Sequence, residues 1–150
     1  ERYVHRGLWR AEATFTPGIF FKGGLTATYL SGALEYYFHE NASVRGDGYY
    51  FLGFLDDEKP LVINHSVFAG VSMHIPTKNH LDPYVFFQPG IALSQSNEDS
   101  LLLSVVSANP LISVGTGVNF YLQTAFHIFA EVRFSHGNHQ SDFPQGRYLI

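Results

Sequence analysis

Two stretches of the chain, Leu30–Phe38 and Ser43–Phe54, alternate so strictly that every charge falls on one parity. Side chains on a strand point to opposite faces with a period of two. The even positions Leu30, Leu34, Tyr36, Phe38, Val44, Tyr50, Leu52 and Phe54 therefore make one apolar wall, interrupted only by glycines. The odd positions carry Ser31, Ala33, Glu35, Ser43, Arg45, Asp47 and Tyr49. A wide apolar face opposite small polar residues and a few charges of both signs is expected of a strand with lipid outside and a narrow, packed lumen inside.

The same rule predicts five further strands. Ala11–Phe21 sets Ala11, Ala13, Phe15, Ile19 and Phe21 against Glu12, Thr14, Thr16 and Gly18. Val67–Ile75 opposes Ser66, Gly70, Ser72 and His74 with Val67, Ala69, Val71 and Met73. In Val85–Ser94 the apolar side is Val85, Phe87, Ile91 and Leu93, while Tyr84 and Phe86 share the second side with Gln88 and Gly90. Ile112–Tyr121 alternates Ile112, Val114, Val118 and Phe120 with Ser113, Gly115, Gly117 and Asn119, and Phe126–Ser135 sets Glu131 and Arg133 opposite Ile128, Val132 and Phe134. Tight turns at 39–42, 77–82 and 123–125 alternate with longer connections at 56–64, 95–110 and 136–146, as short periplasmic turns alternate with long extracellular loops in bacterial barrels. An even barrel needs an eighth strand, and Arg147–Ile150 reads as only its beginning. The expectation is one all-β domain over 1–150, an antiparallel up-and-down transmembrane barrel of eight strands with the last incomplete.

Composition agrees with that expectation. Only 15% of the residues are charged, 16% are aromatic, and there are 14 Phe, 9 Tyr and 14 Gly, which favours strands and turns over helices. A formal charge of −4 leaves no basic surface for nucleic acid. The chain has no cysteine, which removes disulfide frameworks and Cys-ligated metals, and no apolar run is long enough for a helical span. No signal-peptide pattern is read, so an exported chain is expected here in mature form. A soluble lipocalin-like barrel with a bound ligand also alternates, but its polar parity faces water and gathers Lys and Glu. Here that parity holds Ser, Thr, Gly, Ala and Asn. Tyr36, Phe38, Phe120 and Phe126 cluster beside the short turns, as an aromatic girdle does.

The runs Leu34–Tyr50, Leu81–Ile91 and Gly117–Leu122 resemble the small outer-membrane β-barrel domain family that includes the OmpA- and OmpX-type eight-stranded barrels. The resemblance covers most of the chain and rests on strand and turn patterns. It implies a multi-pass, porin-like protein of the Gram-negative outer membrane, in contact with outer-membrane lipid and lipopolysaccharide. It also implies a non-enzymatic structural or interaction role in the cell envelope, alone or as an accessory subunit with other outer-membrane proteins.

Candidate chemistry sits at the inward parity. Glu12, Glu35, Arg45, Asp47, Glu131 and Arg133 are expected to form a charge network in the lumen, because buried charges must be paired, with Glu35 opposite Arg45 or one step from it. No cofactor and no metal are expected. His136 and His139 lie close in a loop without a clear third ligand, and Asp56–Glu58 reads as a solvated acidic tip. The enzymatic alternative is a PagL-type lipid A deacylase, which Phe134–Asn138 loosely resembles. Adjacent Ser135 and His136 point to opposite faces of a strand, which breaks the shared-face spacing a Ser–His pair needs; Ser141 and Asp142 are the other partners within reach of His136.

Overall fold

The computed structural model describes residues 3–21, 24–55, 61–77, 80–96, 106–123, 126–137 and 147–149. Seven long strands follow one another: β1 (Trp9–Phe20), β2 (Thr26–His39), β3 (Ala42–Phe54), β4 (Leu61–His74), β5 (Leu81–Ser96), β6 (Ser107–Gln123) and β7 (Phe126–Gly137). Each pairs antiparallel with the next, giving an up-and-down all-β meander. A three-residue strand, β8 (Arg147–Leu149), pairs with β7 at Phe134–His136 and with β1 at Ile19 and Phe20. The sheet thus curls until its first and last long strands are bridged at one end, in barrel order. Away from that bridge a cavity of about 230 Å³ lies between β1 and β7, lined by Glu12, Thr14, Thr16, Phe129 and Glu131 among others.

Three strands run further than the alternation suggests. Leu61–Asn64 open β4, Gln95 and Ser96 end β5, and Ser107–Pro110 open β6, although all three stretches read as loop. The cause is polar side chains that serve the interior. Asn64 is buried and donates from Nδ2 to the Tyr29 hydroxyl at 2.8 Å, and Asn109 donates to Ser94 Oγ at 3.4 Å. Phe54 also departs from expectation by leaving the outer wall. A register shift at Thr28/Tyr29 and Gly53 at φ 145°, a conformation glycine adopts readily, turn the end of β3 over. Phe54 then packs on Phe20 and Phe51, with ring centroids 5.7 and 5.2 Å away.

Most of the outer parity is otherwise exposed and apolar. Phe15 on β1, Leu34 on β2, Tyr50 on β3, Val71 on β4, Phe87 on β5, Val114 on β6 and Val132 on β7 are each about half exposed or more. The interior is layered. At the β8 end Phe20, Leu25, Tyr29, Tyr49, Phe51, Phe68 and Leu111 form an apolar cluster. Charged groups fill the middle, and Val4, Tyr37 and Tyr121 close the short-turn end. Two glycines on β6 make this interior possible: a Cβ at Gly115 would collide with the edge of the Phe86 ring, and one at Gly117 with the edge of the Tyr84 ring. Tyr84 can therefore stand beside both Arg10 and Arg45, and Phe86 beside both Arg45 and Arg133.

Candidate functional site

Period-two alternation delivers the charged side chains of β1, β2, β3 and β7 to one enclosed space, and the structure places all six expected network residues there. Arg45 is at the centre. Its Nε and Nη2 donate to Asp47 Oδ1 at 3.0 and 2.8 Å, its Nη1 donates to Glu131 Oε2 at 2.7 Å, and its Nη2 lies 3.6 Å from Glu12 Oε2. Arg133 is fully enclosed, 3.1 Å from Asp47 Oδ1 and 3.3 Å from Glu131 Oε1. The rings of Tyr49, Phe68 and Phe86 surround its guanidinium at 5.1, 5.1 and 4.5 Å. Aromatic faces attract a desolvated cation, so rings and carboxylates together replace the water Arg133 has lost. Tyr84 donates its hydroxyl to Glu131 Oε2 at 2.7 Å, and Gln88 Nε2 donates to Asp47 Oδ2.

Glu35 and Arg45 are direct partners in the β2–β3 ladder. Their charges nevertheless go elsewhere. Glu35 is ion-paired with Arg10, while Arg45 takes Asp47 and Glu131. Arg10 is the ladder partner of Glu35 on its other side, in β1, and Asp47 follows Arg45 by two residues on β3, so of these three pairs only Arg45–Glu131 crosses the bore.

The structure adds a second cluster at the short-turn end. Arg10, just ahead of the expected start of the first strand, reaches Glu12 Oε1 at 3.0 Å and Asp82 Oδ2 at 3.5 Å as well as Glu35. His74 stands between two carboxylates, with Nε2 3.2 Å from Glu35 Oε1 and Nδ1 2.9 Å from Asp82 Oδ1. Asp82 also accepts from Tyr37 Oη at 3.3 Å and Asn119 Nδ2 at 3.0 Å, and His127 Nε2 lies 3.0 Å from Glu12 Oε1. Asp82 reads as a turn residue, yet it has the parity of Tyr84, Phe86 and Gln88. Extending that alternation two residues back is the signal that finds it, and the same step from Glu12 finds Arg10.

Chemically, the arrangement is a filled polar core. Ser43, His74 and Asp82 stand in the order of a nucleophile relay, with Ser43 Oγ 3.0 Å from His74 Nε2. Ser43 Oγ is shared, however, since it also donates to Glu35 and so is not committed to His74 as a relay requires. Ser43 is also completely buried. Ser135 is buried in the lumen while His136 is exposed on the other face of β7. Asp56–Glu58, His139, Ser141 and Asp142 lie outside the described residues. Among the described residues no three His, Asp or Glu side chains form a group suited to a metal ion. A scan against protein-family models and a search of curated proteins find no match to this chain.

Proposed function

We propose that this chain is a transmembrane β-barrel of the bacterial outer membrane, a non-enzymatic structural or interaction component of the cell envelope, alone or as an accessory subunit of a larger complex. The observation that carries the reading is the inverted distribution of polarity. Arg45, Arg133, Glu35 and Asp47 are enclosed, while large apolar side chains are exposed on all seven long strands. In water this arrangement loses twice, since charges are desolvated and apolar area stays wet. In a bilayer the outer wall is matched to hydrocarbon, and only the lumen has to be satisfied internally. Strands of 12 to 17 residues exceed the roughly 9–11 a tilted span requires. At the short-turn end Trp9 and Tyr36 pair with ring centroids 4.8 Å apart, beside exposed Phe38 and Phe126, where an aromatic girdle belongs.

The eighth strand belongs to the same proposal. In its present register β8 joins β7 at Phe134–His136 to β1 at Ile19 and Phe20, the double pairing that an eighth strand of a closed barrel makes. A lipocalin-like reading fits less well, because ion pairs occupy the middle of the bore where an apolar ligand would sit. The test is fractionation of cells expressing the chain, followed by mild detergent extraction. Recovery with outer membranes, and folding only in detergent or lipid, is expected. A folded, monodisperse species in detergent-free buffer overturns the membrane reading, and stoichiometric co-purification with other envelope proteins separates a subunit from a lone barrel.

A further inference from the structure

The short-turn end of the lumen is closed by the N-terminal segment. Residues 3–8 cross it: Val4 is buried against Tyr37 and Tyr121, and Tyr3 stacks on Tyr121 at 5.4 Å and leans on His80 at 5.0 Å. The segment is tied down through Tyr37, whose carbonyl accepts from Gly7 N at 2.7 Å and whose N–H donates to the Leu8 carbonyl at 3.0 Å. Gly7 turns there at φ 89°, a conformation open to glycine. Beneath the segment a crevice of about 10 Å³, lined by Tyr3, Val4, Tyr121 and Asp82 among others, is at the size limit for a single water.

Directly behind this stopper lies the Glu35–His74–Asp82 cluster, whose hydrogen bonds require a certain proton count. Ionised carboxylates only accept. With the Ser43 hydroxyl hydrogen directed at Glu35, His74 Nε2 faces two acceptors, Ser43 Oγ and Glu35 Oε1, and Nδ1 faces the Asp82 carboxylate, so each ring nitrogen is placed to donate. A neutral imidazole has one N–H, so the three groups together hold one proton more than two carboxylates and a neutral ring. The other polar and ionisable groups facing the cluster are Arg10 from β1, Tyr37 from β2, Tyr84 from β5, and Asn119 and Tyr121 from β6. Arg10 is the only fixed cation among them, and it is shared by Glu35, Asp82 and Glu12.

We propose that this shared proton controls the stopper. With it, the cluster is satisfied and dry, and the Tyr37 hydroxyl rests on Asp82 while the Tyr37 backbone holds Gly7 and Leu8. Loss of the proton sets an acceptor against an acceptor in a closed space. The relief nearest to hand is water at Asp82, which already lines the crevice under Tyr3 and Val4. Admitting that water lifts residues 3–6 about Gly7 and opens the short-turn mouth, leaving the Arg45–Arg133 network as a second barrier behind it.

The naturally cysteine-free chain allows a direct test. Val4→Cys reports the closed stopper, and Arg6→Cys, at an exposed position, corrects for the reactivity of the thiol itself. In detergent or lipid, the ratio of the two maleimide-labelling rates is measured from about pH 5 to about pH 9, the range that spans histidine titration. Once the proton leaves, the ratio should rise by roughly tenfold per pH unit, the slope one linked proton imposes. His74→Gln should flatten that slope. Glu35→Gln, whose amide can supply the missing donor, should keep Val4→Cys protected at high pH and covers the case in which the His74 variant does not fold. A pH-independent ratio in the parent background overturns the proposal, as does an unchanged slope in Glu35→Gln.

Discussion

Glu35 and Arg45 face each other directly across the β2–β3 ladder, yet Glu35 is neutralised by Arg10 from β1 and Arg45 by Asp47 and Glu131 from β3 and β7. Arg10 is itself the β1 ladder partner of Glu35, and Asp47 follows Arg45 by two residues on β3, so of these pairs it is Arg45–Glu131 that ties strands distant in sequence across the bore. Double-mutant cycles in a denaturant titration should find the large coupling between Arg45 and Glu131 and little between Arg45 and Glu35. Arg45→Met alone leaves Asp47 and Glu131 short of a cation in an enclosed space and should cost about 3–5 kcal/mol, whereas replacing the local set together should cost far less. Additive effects near zero would mean that the side chains are solvated.

This distinction also marks how far the fold and site are legible in the sequence. Period-two alternation identifies the seven long strands and the inward set Glu12, Glu35, Arg45, Asp47, Glu131 and Arg133, because facing is a local property. Partnership is only partly local. His74 and Asp82 meet across the β4–β5 turn, where His74 pairs with Tyr84, but nothing adjacent to them in sequence indicates that Arg10 joins them, since it is the curl of the sheet that brings β1 to β4 and β5. Phe54 escapes the alternation for a local reason: Gly53 reverses the parity there, and a simple count runs straight through it. Asn64 and Asn109 extend strands while looking like loop residues, because a polar lumen rewards the residue types that punctuate soluble folds.

Glycines offer a test of the packing within this bore. Gly115 lies at the edge of the Phe86 ring, which in turn faces Arg133 at 4.5 Å, so Gly115→Ala must displace an aromatic that shields a buried cation. Overpacking of this kind should cost about 1–3 kcal/mol. At Gly48 on β3, in contrast, an added Cβ would meet nothing within 4 Å. Gly48→Ala should stay within about 0.5 kcal/mol of the parent, as substitutions away from packed features do. Equal effects at the two positions in the same refolding assay would contradict the layered interior.

The solvent of the outer wall is decided by charge scanning. Val67, Phe87, Val114 and Val132 are 61%, 51%, 51% and 54% exposed and sit midway along their strands. If that belt faces hydrocarbon, an Arg at each should destabilise the lipid-refolded chain by about 2–4 kcal/mol, with the penalty falling for positions near the strand ends. If the belt faces water, Arg is tolerated at all four. The depth profile is the discriminating readout, because a uniform penalty would point to a generic loss of β-propensity.

Lipid A chemistry separates scaffold from enzyme. Two Ser–His pairs stand out, and neither is arranged to attack an ester. Ser135 is buried in the lumen while His136 is exposed on the opposite face of β7. Ser43 is close to His74, but it is fully buried and its hydroxyl is already donated to Glu35. A nucleophile needs its base within hydrogen-bond reach, a third group orienting that base, and an approach for the substrate. Cells expressing the chain should therefore yield lipid A with its full set of acyl chains by mass spectrometry, identical to that from cells carrying Ser43→Ala or His136→Ala. Loss of one acyl chain with the parent and its return with His136→Ala would make the exposed end of β7 an active site and displace the scaffold reading. Rescue by Ser43→Ala alone would move the chemistry into the lumen and require the short-turn mouth to open during turnover.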